Sequence, residues 1–239
     1  MRSYTRHQLK QDSFRTSTTE TISWAVEHQS KLIAAGVAIA VLLAVVLGGW
    51  AYINYRDQQA QRELSSAIQK YDAPIRPAGA PATADVLSFG SSQERDKVTN
   101  AEFTQIADRY SFTESSRIAR YFAGVTAHDL GDNATAEKDL KDVADSRSQE
   151  IASLGKMALA GVYRDTNRNS QAIELYKQLA DHPTASVGKS TAQFLLAGLY
   201  EEAGQQDQAR VLYQQMQKEN PASQVAQIAS QKLQALGQP

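Results

Sequence analysis

The chain has 239 residues, no cysteine and a formal net charge of −1 at pH 7. The absence of cysteine excludes disulfides, thiolate catalysis and cysteine-based zinc sites. The near-neutral charge argues against a nucleic-acid-binding protein, because phosphate contacts need a clustered basic surface. The length leaves room for one soluble domain and a short membrane anchor.

The first predicted element is a membrane-spanning helix at residues 32–53, preceded by an N-terminal tail at residues 1–31. The segment reads LIAAGVAIAVLLAVVLGGWAYI, 22 residues without a charge. At 1.5 Å per residue this helix is roughly 33 Å long, enough to cross a hydrocarbon core of about 30 Å. Trp50 and Tyr52 lie where an aromatic belt belongs. The alternative, a buried core helix, rarely has so long an uncharged run.

A helical extension is predicted at residues 54–72, directly after the span. It contains no Gly or Pro, and Ala60, Leu64 and Tyr71 recur at helical spacing. A cleaved signal peptide is a second alternative for the apolar segment. However, that segment begins more than 30 residues into the chain and is followed by no clear small-x-small cleavage site. The pattern therefore favours an uncleaved signal anchor.

Charge gives two different indications of the orientation of this helix. Five Lys and Arg residues precede it, which favours a cytoplasmic N-terminus. Within about 20 residues of the span, however, the N-terminal side has only Arg15 and Lys31. The other side has Arg56, Arg62 and Lys70, which reverses the balance. Charge alone therefore leaves the orientation open.

One face of the predicted membrane helix consists of small residues at successive i+4 positions: Gly36, Ala40, Ala44 and Gly48. Such a stripe lets a second helix approach closely, so it is the predicted helix-contact surface within the membrane. Gly is also frequent in membrane helices generally, and composition alone is the alternative explanation.

A proline-rich linker is predicted at residues 73–93. It holds three of the six prolines of the chain within eight positions, and proline lacks the amide donor that regular structure needs. Helical periodicity resumes after it and continues towards the C-terminus. The repeat domain is therefore predicted at residues 94–239.

This domain contains three similar segments, spaced 36 and 37 residues apart. In each, two small residues let the helices of a hairpin cross closely, and two larger apolar residues fill the layer between hairpins. A Gly or Asn between the small residues can adopt the left-handed conformation that ends the first helix. The aligned sets are Gly124, Ala160 and Ala197; Gly131, Asn167 and Gly204; Ala136, Ala172 and Ala209; Leu140, Tyr176 and Tyr213; and Val143, Leu179 and Met216.

This pattern resembles the tetratricopeptide repeat, a helical hairpin of about 34 residues. The third segment matches best, in LLAGLYEEAGQQDQARVLYQQMQKENP. The resemblance implies an all-α fold, in which a single transmembrane helix is followed by a tetratricopeptide-like α-hairpin repeat solenoid. Asn220 and Pro221 suit the cap and the first residue of a closing helix that shields the last apolar face.

The sequence holds no motif of catalysis or ligand binding above background. Its four histidines lie far apart, and neither a metal-ligand spacing such as HExxH nor a glycine-rich phosphate loop occurs. His128 and Asp129 are expected to form a solvated pair on a helix surface. The chain is therefore predicted not to be an enzyme and to use no cofactor, no metal, no small-molecule substrate and no nucleic acid.

Helical repeats offer a concave surface lined by the first helix of each hairpin. By analogy with the repeat family, seven residues face this groove, and their mixture of aromatic, Met and charged side chains suits protein binding. A place in the core between repeats is the alternative for Met157 and Phe194. The predicted protein-binding residues, which we call the repeat face, are Tyr121, Val125, His128, Met157, Arg164, Phe194 and Glu201.

The layout as a whole is similar to the ancillary SecYEG translocon subunit family, the YfgM-like proteins of bacterial inner membranes. The similarity covers residues 20–236 and is clearest in GGWAYINYRDQQAQRELSSAIQKY at residues 48–71. It continues in NAEFTQIADRY at residues 100–110. The proline-rich linker departs from the compact pattern of the family and leaves the start of the soluble fold open.

This resemblance implies a cytoplasmic N-terminus and a periplasmic repeat domain in the bacterial inner membrane. It also implies an adaptor that binds Sec translocon subunits and periplasmic chaperones. A scaffold for cell-envelope assembly or cell-division coordination is the alternative function. A regulatory arm for an enzyme is a third, but neither the tail nor the linker carries a nucleophile–base pair.

Overall fold

The computed structural model describes residues 28–77, 79, 87–219 and 221–237, so almost all of the predicted tail at residues 1–31 lies outside this part. The described part has nine α-helices and no β-strand, which confirms the all-α prediction. The helices are α1 (Gln29–Tyr71), α2 (Ser92–Arg109), α3 (Glu114–Asp129), α4 (Asn133–Ala144), α5 (Gln149–Asp165), α6 (Asn169–Asp181), α7 (Lys189–Glu202), α8 (Gln206–Glu219) and α9 (Gln224–Ala235).

The chain divides into two compact units, Met1–Asn54 and Tyr55–Pro239. In the first unit, the described residues belong to α1 and the residue before it. Their large apolar side chains are exposed, with Leu42 at 62% and Val45 at 69%. Among the described helices, α1 is the one that is long and apolar enough to cross a membrane. It is therefore a candidate membrane span.

The second unit begins with the part of α1 that follows Asn54. Here the helix buries Ala60, Leu64 and Ala67 in one apolar cluster with residues of α2 and α3. Phe103 of α2 is fully buried in this cluster. The segment predicted as an extension of the membrane helix, 54–72, thus supplies core contacts to the compact unit, because its apolar residues recur at helical spacing on one face.

The described ends of the proline-rich linker are held together by backbone hydrogen bonds. The Arg76 amide donates to the Phe89 carbonyl at 2.8 Å, and the Phe89 amide donates to the Pro74 carbonyl at 3.1 Å. Helix α2 then begins at Ser92, and the Ser91 hydroxyl caps it by accepting from the Glu94 amide. The last two residues of the predicted linker are therefore helical.

Helices α3 and α4, α5 and α6, and α7 and α8 form three successive hairpins, and α9 packs on α8 and α7 at the end. In each hairpin the first helix is followed by the expected left-handed residue: φ is +83° at Gly131, +59° at Asn167 and +73° at Gly204. These values confirm the predicted repeat alignment and its turn chemistry.

The small and large positions of the alignment are also buried as predicted. Ala160, Ala172 and Ala197 are fully buried. At Gly124 the two helices of the first hairpin approach so closely that a Cβ would lie 2.7 Å from Leu140 Cγ. Small residues are therefore needed at these crossings because any larger side chain would force the helices apart.

The predicted start of the closing helix is wrong. Pro221 lies in a turn before α9, and Asn220 lies outside the described residues. The helix begins at Gln224, with Ser223 as its N-cap: the Ser223 hydroxyl accepts from the Ala226 amide. Ser223 is as favourable a cap as Asn220, and the connection from α8 needs the intervening residues for its turn.

Candidate protein-interaction face

The repeat face lies on α3, α5 and α7, the first helices of the three hairpins. All seven of its residues are half-buried. Tyr121, Val125 and His128 lie on α3, Met157 and Arg164 on α5, and Phe194 and Glu201 on α7.

His128 pairs with the next hairpin and not, as predicted, with Asp129. Its Nε2 lies 3.0 Å from Asp165 Oδ2, and its Nδ1 lies 2.7 Å from Asn133 Oδ1. The short His128 side chain does not fold back to its neighbour Asp129, which projects about 100° away around the helix, and both ring nitrogens meet residues of other helices instead. His128 therefore joins the end of α3 to the end of α5 and the start of α4.

Arg164 stands at the same repeat position as His128 and makes the same kind of contact. Its Nε donates to Asp165 Oδ1 at 2.9 Å and lies 4.0 Å from Glu202 Oε2 on α7. Burial opposes ionisation of Asp165, but hydrogen bonds from Arg164 and His128 outweigh it and hold the pKa of Asp165 below its usual value. Polar side-chain pairs at equivalent repeat positions therefore connect each of these repeats to the next.

Glu201, the third residue at this position, is acidic and has a different partner. Its Oε2 accepts from Lys232 Nζ of the closing helix at 2.7 Å. Within the described part, Glu201 Oε1 and the Tyr213 hydroxyl are both buried without a hydrogen bond. Burial and the nearby negative charge of Glu201 raise the pKa of Tyr213. The Glu201–Lys232 pair ties α9 to the repeats.

Three acidic residues at this end of the face were not predicted as part of it: Asp129, Asp165 and Glu202. They immediately follow His128, Arg164 and Glu201, 36 and 37 residues apart, so the repeat alignment itself was the available signal. Burial raises the pKa of Asp129, and the negative charge of Asp96 adds to this effect. Every repeat therefore places a carboxylate at this end of the face.

The aromatic and Met residues of the face share one repeat position. Tyr121, Met157 and Phe194 each pack against the core cluster of the hairpins and remain partly exposed. The Phe194 ring lies 6.3 Å from the Tyr213 ring, centroid to centroid. Each side chain therefore contacts the core and also presents some surface to solvent.

Within the described residues, no other helix packs against the small-residue stripe of α1. Gly36, Ala40, Ala44 and Gly48 are all exposed. A Cβ added at Gly36 or Gly48 would meet no heavy atom within 4 Å. The stripe remains a prediction of a contact surface.

Two cavities lie beside the hairpins and apart from the repeat face. One, of about 530 Å³, is lined by residues of α5, of α6 and of the segment after α6, among them Lys156 and His182. The other, of about 460 Å³, contains Gln193, whose Oε1 is buried without a partner in the described part. In that same part, no group of three or more His, Asp or Glu residues could hold a metal ion.

Comparison with known families agrees with this geometry. A family model described as a tetratricopeptide repeat-like domain matches residues 24–238, which is most of the chain. No curated protein and no solved structure matches the chain. The three hairpins, their left-handed turn residues and their small crossing residues are the features that such repeats require. The chain belongs to the tetratricopeptide repeat-like domain family.

Proposed function

We propose that this chain is a non-enzymatic, membrane-anchored adaptor that binds other proteins through its repeat domain. Membership of the repeat family supports a role in protein–protein interaction in general. The observation that carries the proposal is the repeat face, where three aligned helices present half-buried aromatic, Met and charged side chains. Such a mixture is typical of protein interfaces.

The proposed partners are subunits of the Sec translocon and periplasmic chaperones. The similarity at residues 48–71 to ancillary translocon subunits supports this choice and supports an anchor in the bacterial inner membrane. The N-terminus is then cytoplasmic and the repeat domain periplasmic. In this arrangement the stripe from Gly36 to Gly48 contacts a membrane helix of the translocon, and the repeat face binds chaperones.

Site-specific photocrosslinking in cells tests both surfaces. A crosslinker at Ala44 should recover translocon subunits, whereas one at Leu42, on the opposite face of α1, should not. A crosslinker at Phe194 should recover periplasmic chaperones. A crosslinker at the exposed Val211 of α8, the control position, should not.

Three results would contradict the proposal. Equal recovery of translocon subunits by crosslinkers at Ala44 and Leu42 would show that the stripe is not the contact surface. Recovery of cell-envelope assembly or division proteins from Phe194 would support the alternative scaffold function. Recovery of cytoplasmic proteins alone would refute the periplasmic location.

A further inference from the structure

The cavity of about 460 Å³ is an open groove lined by α6, α7 and α8, which we call the α7 groove. Its apolar lining includes Leu196 and Tyr200, which are buried, and Val211, which is exposed. Gln193 also lines it, is only 3% exposed, and has no hydrogen-bond partner for its Oε1 in the described part. A buried carbonyl without a partner costs folding free energy that a bound donor would recover.

In the first repeat, charged side chains bridge the position that corresponds to the α7 groove. Arg120 of α3 aligns with Gln193 of α7 in the repeat register. Its guanidinium donates to Asp108 of α2 at 3.1 Å and to Asp139 of α4 at 3.0 Å. The two ion pairs therefore join the helix before α3 to the helix after it.

The second repeat has a bridge of the same kind, from α4 to the start of α6. The Arg168 guanidinium lies 4.4 Å from the centroid of the Tyr163 ring and donates to Glu137 Oε2 of α4 at 2.7 Å. The residues of the third repeat that align with Arg168 and Glu137 are both uncharged: Gln205 and Ile173. In the described part, no ion pair joins α6 to α8, so the α7 groove stays open.

The charges at the rim of the α7 groove balance one another. Lys189 pairs with Glu219 at 2.6 Å, and Lys177 and Asp181 are of opposite sign one turn apart on α6. Charge complementarity therefore favours a neutral ligand. A carboxamide such as that of Gln193 pairs well with a peptide group, because each of the two has a donor and an acceptor.

We propose that the α7 groove binds an extended, neutral peptide segment of a partner protein. An aliphatic side chain of this segment occupies the cavity, whose volume lies within the usual range for ligand sites. A backbone amide of the segment donates to Gln193 Oε1. An extended segment has free backbone amides, whereas those inside a helix are already bonded. The site is separate from the repeat face and does not depend on the proposed chaperone or translocon partners.

Fluorine NMR of the full chain in lipid nanodiscs tests the site. Because the chain has no cysteine, one introduced cysteine carries the only trifluoromethyl label. The reporter is Val211→Cys, and the matched control is Glu174→Cys, at the aligned exposed position of the second repeat. The probe N-acetyl-Ala-Leu-Ala-amide should shift the resonance at position 211 to saturation and leave that at position 174 unchanged. The charged probe N-acetyl-Ala-Asp-Ala-amide should shift neither resonance.

Substitution of the buried amide tests its role. Gln193→Leu should weaken binding of the leucine probe about ten-fold, the effect of one lost hydrogen bond. It should not lower stability to urea, because Gln193 Oε1 has no partner to lose in the described part. Gln214→Leu, on the exposed surface of α8 outside the groove, should change neither property.

Four results would contradict the proposal. The absence of a saturable shift at position 211, or an equal shift at position 174, would refute the site. Unchanged affinity of Gln193→Leu for the leucine probe would refute the hydrogen bond. Equal binding of the aspartate probe would refute the neutral class of ligand. A clear loss of stability in Gln193→Leu would show that the amide serves the fold instead. The assay contains no chaperone or translocon, so its result leaves the proposed function untouched.

Discussion

Gly155 and Gly161 lie six residues apart on α5 but have different surroundings. A Cβ on Gly155 would lie 2.7 Å from the backbone nitrogen of Ala144 and 2.9 Å from the carbonyl carbon of Val143. A Cβ on Gly161 would meet no heavy atom within 4 Å. Backbone atoms cannot move aside as a flexible side chain can, so a glycine is required only at the first position.

We therefore expect Gly155→Ala to lower the free energy of unfolding by about 1–3 kcal/mol, since α4 and α5 must separate. Gly161→Ala should raise it by about 1 kcal/mol, because Ala is the better helix former. Urea unfolding of the full chain in detergent, followed by circular dichroism, measures both. Loss of stability in both variants to the same extent would show that α4 does not approach α5 as described.

At the scale of the elements, the ends of α3, α5 and α7 are joined by side chains of successive repeats. The carboxylate of Asp165 accepts from His128 on α3 and from Arg164 on its own helix. Because these hydrogen bonds favour the ionised form, the pKa of Asp165 lies below its usual value in the folded chain.

The lowered pKa of Asp165 predicts how stability changes with pH. Its contribution is present above the unfolded pKa, near 3.9, and is lost as pH falls through that value towards the lower folded pKa. Asp165→Asn should therefore weaken the loss of thermal stability between about pH 5 and pH 3. Asp181→Asn is the control, because this exposed carboxylate makes no hydrogen bond in the described part. An unchanged pH profile for Asp165→Asn would contradict the pairing.

At the scale of the whole molecule, the two units differ in the side chains that they expose. The described part of the first is an exposed apolar helix, and the second is a stack of hairpins with polar pairs between repeats. An apolar surface of this length is stable in lipid and not in water. The division thus agrees with the proposed adaptor, in which one unit anchors the chain and the other binds partners.

The proposed orientation predicts the behaviour of fusion proteins. An alkaline phosphatase fused after Pro239 should be active, because this reporter folds only in an oxidising compartment such as the periplasm. The same reporter fused after Lys31, before the span, should be inactive. The opposite pair of activities would reverse the orientation and refute the periplasmic adaptor.

Several features were predictable because they depend on residue type at short range. The left-handed backbone at Gly131, Asn167 and Gly204 was predictable because few residue types other than Gly and Asn tolerate a positive φ. Residue type alone is less reliable where two candidates compete. Asn220 and Ser223 are both good caps, and only the packing of α9 decided between them.

The sequence by itself determined the helical hairpins, their crossings and the apolar segment at residues 32–53, because periodicity, small residues and the lack of charge act locally. The tertiary structure decided which residues meet: His128 with Asp165, Glu201 with Lys232, and Asp57 of α1 with Ser115 of α3. These contacts join residues 31 to 58 positions apart. No local pattern specifies such pairs, since they depend on how the hairpins stack.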